Sequence, residues 1–198
     1  MEEWVDWYAK VMALPNPIRR AFQLFVLHTG LRSEDARTVR WRDVDWDTGT
    51  LHRPTPKGGV DRAFTIPLSR RALAVLRYAR MAGRKLYPKS PWVFPTRATD
   101  GRITHMKEAK QQKQVKGKKV RHLPGPHVLR HTFVTFGMSL GVPEYEIGIL
   151  VNHRLPKGSM TQRYVGRHAM LTDRLREVQE AVSVALTKAM GRAKNNPG

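Results

Sequence analysis

Cysteine is absent from the 198 residues. That excludes a disulfide scaffold, a cysteine-based zinc site and thiol catalysis, and it fits a reducing compartment. No apolar run approaches the roughly 20 residues needed to span a bilayer. The first residues, Met1-Glu2-Glu3-Trp4, carry neither a basic n-region nor an apolar h-region, so they do not read as a signal peptide. A soluble, intracellular and cytoplasmic protein is expected. Acidic residues are scarce as well: 16 Asp+Glu face 36 Lys+Arg, a formal net charge of +20. The excess runs through the whole chain, and it is larger than an ordinary solvated surface requires. A polyanionic partner, bound through release of its counterions, is the expectation. The length and the 40% hydrophobic content suit one domain with one sizeable core.

What is present reads mainly as helix, without internal repeats. Residues 4–13 form an aromatic-rich helical segment that ends before Pro15 and Pro17. Ile18–His28 is a strongly buried helix with Ile18, Phe22, Phe25 and Val26 among its apolar positions, ended by Thr29-Gly30. Leu31 to Ala36 opens a short helix with Ser33 as N-cap and acids in its first turn. The period then changes. Val44–Leu51 reads as strand, turn and strand, Lys57-Gly58-Gly59 as a turn, and Ala63–Ile66 as another strand. Ser69 caps a helix with Ala72, Leu73, Leu76 and Ala79 at the 3.6 period. Trp92-Val93-Phe94 could supply a short third strand. The Pro124-Gly125-Pro126 breaker delays the next helix to about His127 or Val128, and it runs to Leu140. Another helix follows Pro143. A loop through Pro156-Lys157-Gly158 leads to an amphipathic final helix with Leu171, Leu175, Val178 and Val182. The fold class is therefore mainly α with a small antiparallel β-sheet (α+β). Residues 1–185 form one domain, with a flexible tail over 186–198.

Several residue types invite chemistry on a phosphate. His127 and Arg130 are three apart and share a helical face. Asn152-His153 and Thr161-Gln162-Arg163-Tyr164 follow. Cleaving a phosphodiester without a metal requires a nucleophile, cations to hold developing charge, and an acid for the leaving oxygen. A tyrosine, with a reference pKa of about 10, needs a neighbouring base or cations to attack near neutrality. Arginine suits the second task because its fork matches two phosphate oxygens and stays protonated. Taken singly, each of these residues is more often an ordinary surface or core group. No Asp/Glu/His cluster has metal-ligand spacing, which argues against a metal-dependent nuclease. From Thr104 to Lys119 the chain is polar and basic, and Lys107, Lys110, Lys113, Lys116, Lys118 and Lys119 read as a phosphate-tracking surface in preference to a merely solvated face.

Order and neighbours make the pattern specific. Thr29-Gly30-Leu31-Arg32-Ser33-Glu34-Asp35, followed by Val39-Arg40-Trp41-Arg42-Asp43-Val44-Asp45, closely resembles the first conserved box of the tyrosine recombinase (phage integrase) family. His127-Val128-Leu129-Arg130-His131-Thr132 resembles the second box. Leu150-Val151-Asn152-His153 with Thr161-Gln162-Arg163-Tyr164-Val165 resembles the closing segment, and Lys57, in the turn before a strand ending Ile66-Pro67-Leu68, matches the hairpin lysine. The resemblance spans about residues 18–166 in the family's order.

It implies the tyrosine recombinase catalytic-domain fold and a site-specific DNA recombinase or integrase, a DNA strand transferase needing no cofactor and no metal. Tyr164 would be the nucleophile that forms a 3′-phosphotyrosyl link. Arg32 and Arg130 would clamp the non-bridging oxygens, Lys57 would protonate the leaving 5′ oxygen, His127 would exchange the tyrosine proton, and His153 would hydrogen-bond the phosphate. Asp35 would brace the arginines, and His131, which directly follows Arg130 and so points elsewhere, would be structural support. The implied partners are double-stranded DNA at a specific site and three further copies in a tetramer on DNA, with a monomer without DNA, room for accessory DNA-bending or directionality proteins, and no membrane. The chain departs from the family in having Asn152 where glycine commonly precedes the histidine. It also begins almost at the catalytic domain, without the N-terminal core-binding domain that full-length members carry, as an excised fragment would. Two alternatives share the resemblance: a type IB topoisomerase-like nicking-closing enzyme, and a catalytically silent basic DNA-binding module.

Overall fold

A computed structural model describes residues 2–56, 59–107, 123–153 and 169–191. Helices α1 (Glu2–Met12), α2 (Pro17–Thr29) and α3 (Ser33–Arg37) come first. Strands β1 (Val44–Asp45), β2 (Thr50–Arg53) and β3 (Phe64–Pro67) form a three-stranded antiparallel sheet in that order. Then come α4 (Arg70–Leu86), an antiparallel pair β4 (Pro95–Arg97) and β5 (Ile103–His105), and helices α5 (Pro126–Ser139), α6 (Glu144–Leu150) and α7 (Ala169–Gly191). Mainly helical with small antiparallel sheets, this is the expected class. No helix among the described residues is long and apolar enough to cross a membrane.

Helix α2 is the centre of the core and packs on α4, α5 and α7. Asn16 starts it, its side-chain oxygen accepting from the backbone N–H of Ile18 at 2.9 Å and of Arg19 at 3.2 Å, while Pro17 takes a position where no N–H is needed. Ile18, Ala21, Phe25, Val26 and Leu27 are fully enclosed, and Phe22 and Phe25 each meet Phe94 with ring centroids 5.3 Å apart. The helix stops at Gly30, whose φ of 63° is left-handed. A Cβ there would lie 2.5 Å from Phe133 Cδ1 and 2.9 Å from Val151 Cγ1, so backbone geometry and space both require glycine.

A polar chain ties α7 into this core. Ser69, the N-cap of α4, accepts from Ala72 N–H at 3.1 Å and donates to Ser183 Oγ at 3.0 Å. Ser183 lies 2.8 Å from His28 Nδ1, and Gln179 donates to the His28 carbonyl at 2.6 Å. Burial pushes the His28 imidazole down from 6.5 to about 4, with the charge of Arg71 adding to the effect. A neutral ring accepting at Nδ1 fits that environment.

Several local expectations change. Arg32, not Ser33, occupies the N-cap of α3, with extended φ −63°, ψ 148°, and its own side chain makes no capping bond. Helix α5 begins one residue before His127, because proline is tolerated at the first helical position, where the N–H is unpaired anyway. Trp92-Val93-Phe94 is not a strand of the main sheet: Trp92 bridges to Arg40, Val93 N–H reaches the Val39 carbonyl, and strand pairing starts only at Pro95. Helix α7 continues past residue 185, since Leu186, Ala189 and Met190 extend its buried stripe as far as Gly191. The Lys57-Gly58 turn, the 156–158 loop and residues 192–198 lie outside the described residues.

Candidate active site

Two helix ends meet beside the N-terminal half of α5. One is the end of α2 at Gly30. The other is the end of α6, where Asn152 adopts φ 49°. There Asn152 N–H bonds the Ile149 carbonyl at 3.0 Å and His153 N–H bonds the Gly148 carbonyl at 2.7 Å. This paired arrangement is a Schellman cap, whose left-handed position takes glycine or, less often, asparagine. The Asn152 side chain thus costs little where a glycine would be the default.

The cap leaves the carbonyls of Val151 and Asn152 facing two guanidinium groups. Arg130 Nη1 donates to the Val151 carbonyl at 2.7 Å and to the Gly30 carbonyl at 2.9 Å. Arg32 Nη1 donates to the Asn152 carbonyl at 2.6 Å and, more weakly, to Val151 at 3.4 Å. Helix C-termini carry partial negative charge, so two converging ends suit two cations. Arg130 is only 9% exposed. Burial and then the charge of Arg32 push its pKa down to about 10, opposed by Asp35. Arg32 is also shifted down, first by burial, with Asp35 opposing and Arg62 adding to the shift. Both remain charged near neutrality.

Asp35, 1% exposed, acts electrostatically on Arg32, Arg130 and Arg53. Arg53, at the end of β2, is 2% exposed. It donates to Asp43 Oδ2 at 2.8 Å, to the Thr38 carbonyl at 3.2 Å and to Thr38 Oγ1 at 2.7 Å. Asp43 Oδ2 also accepts from Arg40 N–H at 2.9 Å. Arg53 and Asp43 were not among the sequence candidates. The signal was available: strand alternation puts Arg53 on the same side as the buried Leu51.

His127 and His131 are in direct contact. They lie one helical turn apart on the exposed side of α5, with Nε2 atoms 2.9 Å apart and rings edge to face at 4.3 Å. An N–H···N bond of that kind requires one ring to donate and the other to offer a lone pair. His131 is exposed where its neighbour Arg130 is buried, so the two side chains point different ways, and the i,i+4 relation to His127 adds a contact that adjacency alone does not disclose. His153 is exposed and fixed through its backbone in the cap. Lys107 is exposed just after β5. Lys57, Tyr164, Lys110, Lys113, Lys116, Lys118 and Lys119 lie outside the described residues. Among the described residues no cluster of three or more His, Cys, Asp or Glu is placed to ligate a metal ion.

The fold is that of tyrosine recombinase catalytic domains. The chain superposes on XerA recombinase with a TM-score of 0.54 at 14% identity, covering 88% of this chain and 61% of that one. It superposes on XerH site-specific recombinase, solved bound to its difH substrate before cleavage, with a TM-score of 0.54 at 21% identity, covering 87% of this chain and 49% of that one. Residues 8–170 match the Phage integrase family, and the chain belongs to that family. It is 25% identical to prophage integrase IntF of Escherichia coli over 198 residues, covering 98% of this chain and 40% of that protein. It is 26% identical to tyrosine recombinase XerA of Saccharolobus solfataricus over 165 residues, covering 82% of this chain and 50% of that protein. The chain thus spans half or less of the length of these relatives. It is homologous to integrases and tyrosine recombinases, which are enzymes.

Proposed function

We propose that this domain breaks and rejoins DNA strands at a specific site through a tyrosine–phosphate intermediate. The Tyr164 oxygen attacks the scissile phosphorus as its proton passes to His127. The P–O5′ bond breaks, Lys57 protonates the departing 5′ oxygen, and the strand's 3′ phosphate remains on Tyr164. Attack by the 5′ hydroxyl of another strand reverses the sequence, so the bond energy is conserved and no nucleotide cofactor is consumed. Arg32 and Arg130 hold the non-bridging oxygens, His153 adds a hydrogen bond, Asp35 braces the arginines, and His131 holds the His127 ring. The lysines from Lys107 to Lys119 track the flanking backbone. Exchange between two duplexes in a tetramer completes recombination.

The observation that carries this reading is the convergence of Arg32 and Arg130 on the carbonyls that immediately precede His153. Arginines already desolvated and held by backbone oxygens are poised to trade part of that bonding for a phosphate. The test is a nicked suicide duplex bearing the target site, incubated in EDTA. A covalent protein–DNA adduct is expected, and it is expected to vanish in Tyr164→Phe. No adduct on the correct site would leave a silent DNA-binding module, whereas relaxation of any supercoiled plasmid would favour a nicking-closing enzyme.

A further inference from the structure

Away from the arginine pair, α4 carries a second basic surface that the strand-transfer scheme does not use. Ala72, Val75, Leu76, Ala79 and Gly83 form its buried face. Arg77, Arg80 and Arg84 follow the i, i+3, i+7 spacing on a face turned about a third of a revolution from it. Two indoles, Trp41 and Trp46, lie against this row of cations, and a third, Trp92, lies beside it under Arg40. Trp41 and Trp46 stack at 6.5 Å with planes 22° apart. Arg80 stands 5.9 Å from Trp41 and 5.8 Å from Trp46, Arg77 stands 6.0 Å from Trp46, and Arg40 lies 4.5 Å over Trp92. Among the described residues, Arg77, Arg80 and Arg84 have no carboxylate partner.

The surface is concave. One depression of about 300 Å³ is lined by Trp46, Arg77, Arg80, Met81 and Arg84. A second, of about 230 Å³, shares Arg80 and Arg84 and adds Trp41, Tyr87, Lys89 and Trp92. Among the described residues no acid lines either one, and neither includes Arg32, His127, Arg130 or His153. Trp46 follows β1 at the β1–β2 turn. That turn is at the opposite end of the sheet from the β2–β3 connection, where Arg62 acts on Arg32.

We propose that this tryptophan–arginine groove on α4 docks an acidic, apolar-bearing peptide segment of a partner protein. Charge complementarity selects the carboxylates, since every charged side chain described in the lining is a cation. The apolar part follows from the indoles, from Tyr87 and from Met81, which is 74% exposed. A duplex backbone presents phosphates and sugars and would leave those surfaces uncovered. Side chains such as leucine or phenylalanine fit the two hollows while neighbouring carboxylates meet the guanidiniums, whose stacking on indole already restricts their motion.

The probe is a fluorescein-labelled synthetic peptide in which Glu alternates with Leu and Phe, titrated with the whole chain at physiological salt and followed by anisotropy. Arg80→Glu with Arg84→Glu is expected to weaken binding by about tenfold or more. Arg19→Glu with Arg102→Glu, equal in charge but elsewhere on the exposed surface, is expected to change it less than about twofold. Trp46→Ala, which leaves the charge intact, is expected to weaken it several-fold with an unchanged circular dichroism spectrum. Adduct formation on nicked DNA is expected to be unaffected by all of these, so the groove is tested separately from strand transfer. Equal losses in the two charge-reversed pairs would overturn the proposal, as would equal binding of a peptide containing only Glu. It would also be overturned if a duplex lacking the target site displaced the peptide and itself lost affinity specifically with the Arg80 and Arg84 reversals, which would assign the surface to nucleic acid.

Discussion

Asn152 is the residue on which the local geometry of the site turns. It holds the left-handed position of the α6 cap, and its carbonyl takes the Arg32 guanidinium. Asn152→Gly keeps the preferred backbone and is expected to change stability by less than about 1 kcal/mol, with adduct formation retained. Asn152→Val puts a β-branched side chain at positive φ, and a cost of about 1–2 kcal/mol is expected, together with slower adduct formation. Urea denaturation and a suicide-substrate time course measure the two effects. If valine were as well tolerated as glycine, the cap would not be what holds the carbonyls in place. Gly30 is more severely constrained. Gly30→Ala is expected to cost about 2–4 kcal/mol, because strain at positive φ adds to the clash with Phe133 and Val151.

At the scale of elements, α7 is held to α2 and α4 through His28, Ser183 and Ser69 beside its buried apolar stripe, and protonating His28 is expected to weaken that tie. In the unfolded chain the imidazole titrates near 6.5, and in the fold near 4. Between those values the unfolded state binds a proton that the folded state does not. Stability is therefore complete above about pH 6.5 and is lost as pH falls toward 4, by on the order of 3 kcal/mol. Urea midpoints at pH 7 and pH 4.5 are expected to differ accordingly, and His28→Gln is expected to lose most of this difference; an unaltered pH dependence in the variant would rule His28 out as its source. The Arg53–Asp43 pair is a second element-scale tie, joining β2 to the turn after α3. Removing one partner, as in Asp43→Leu, leaves a buried guanidinium uncompensated and is expected to cost about 3–5 kcal/mol by denaturant titration.

The same elements explain what the sequence could and could not reveal. Periodicity located α2, α4 and the β1–β2–β3 ladder because each pattern is local. The residues at Arg32 and Arg130 stood out through motif order. Their shared attachment to Val151 and Gly30 carbonyls did not, since a backbone carbonyl leaves no residue-type signature. Arg53 was missed for a different reason: a lone arginine closing a four-residue strand looks like a surface residue until Leu51 is known to be buried beside it. The contact between His131 and His127 went unread for a third reason: adjacency to Arg130 says where His131 does not point, and only the helical turn says which ring it meets.

At the scale of the whole molecule, +20 of formal charge surrounds a site where Arg32, Arg53 and Arg130 face Asp35 and Asp43. Long-range attraction and local chemistry should then separate cleanly under mutation. In the proposed scheme attraction counts charges, whereas strand transfer depends on a fork that can hold two phosphate oxygens at once. Arg32→Lys preserves the charge and loses the fork. Its affinity for a duplex carrying the target site is expected to fall with salt along the same log–log slope as the wild type, while adduct formation drops by about a hundredfold or more. Arg32→Ala is expected to lose the chemistry too and, in addition, to shallow the slope by about one unit, the signature of one phosphate contact removed. Anisotropy titrations across a salt series, paired with adduct yields on the nicked duplex, resolve the two effects. A lysine variant with wild-type adduct yield would mean that Arg32 serves only as a point charge. An alanine variant with an unchanged slope would mean that it never reaches a phosphate at all.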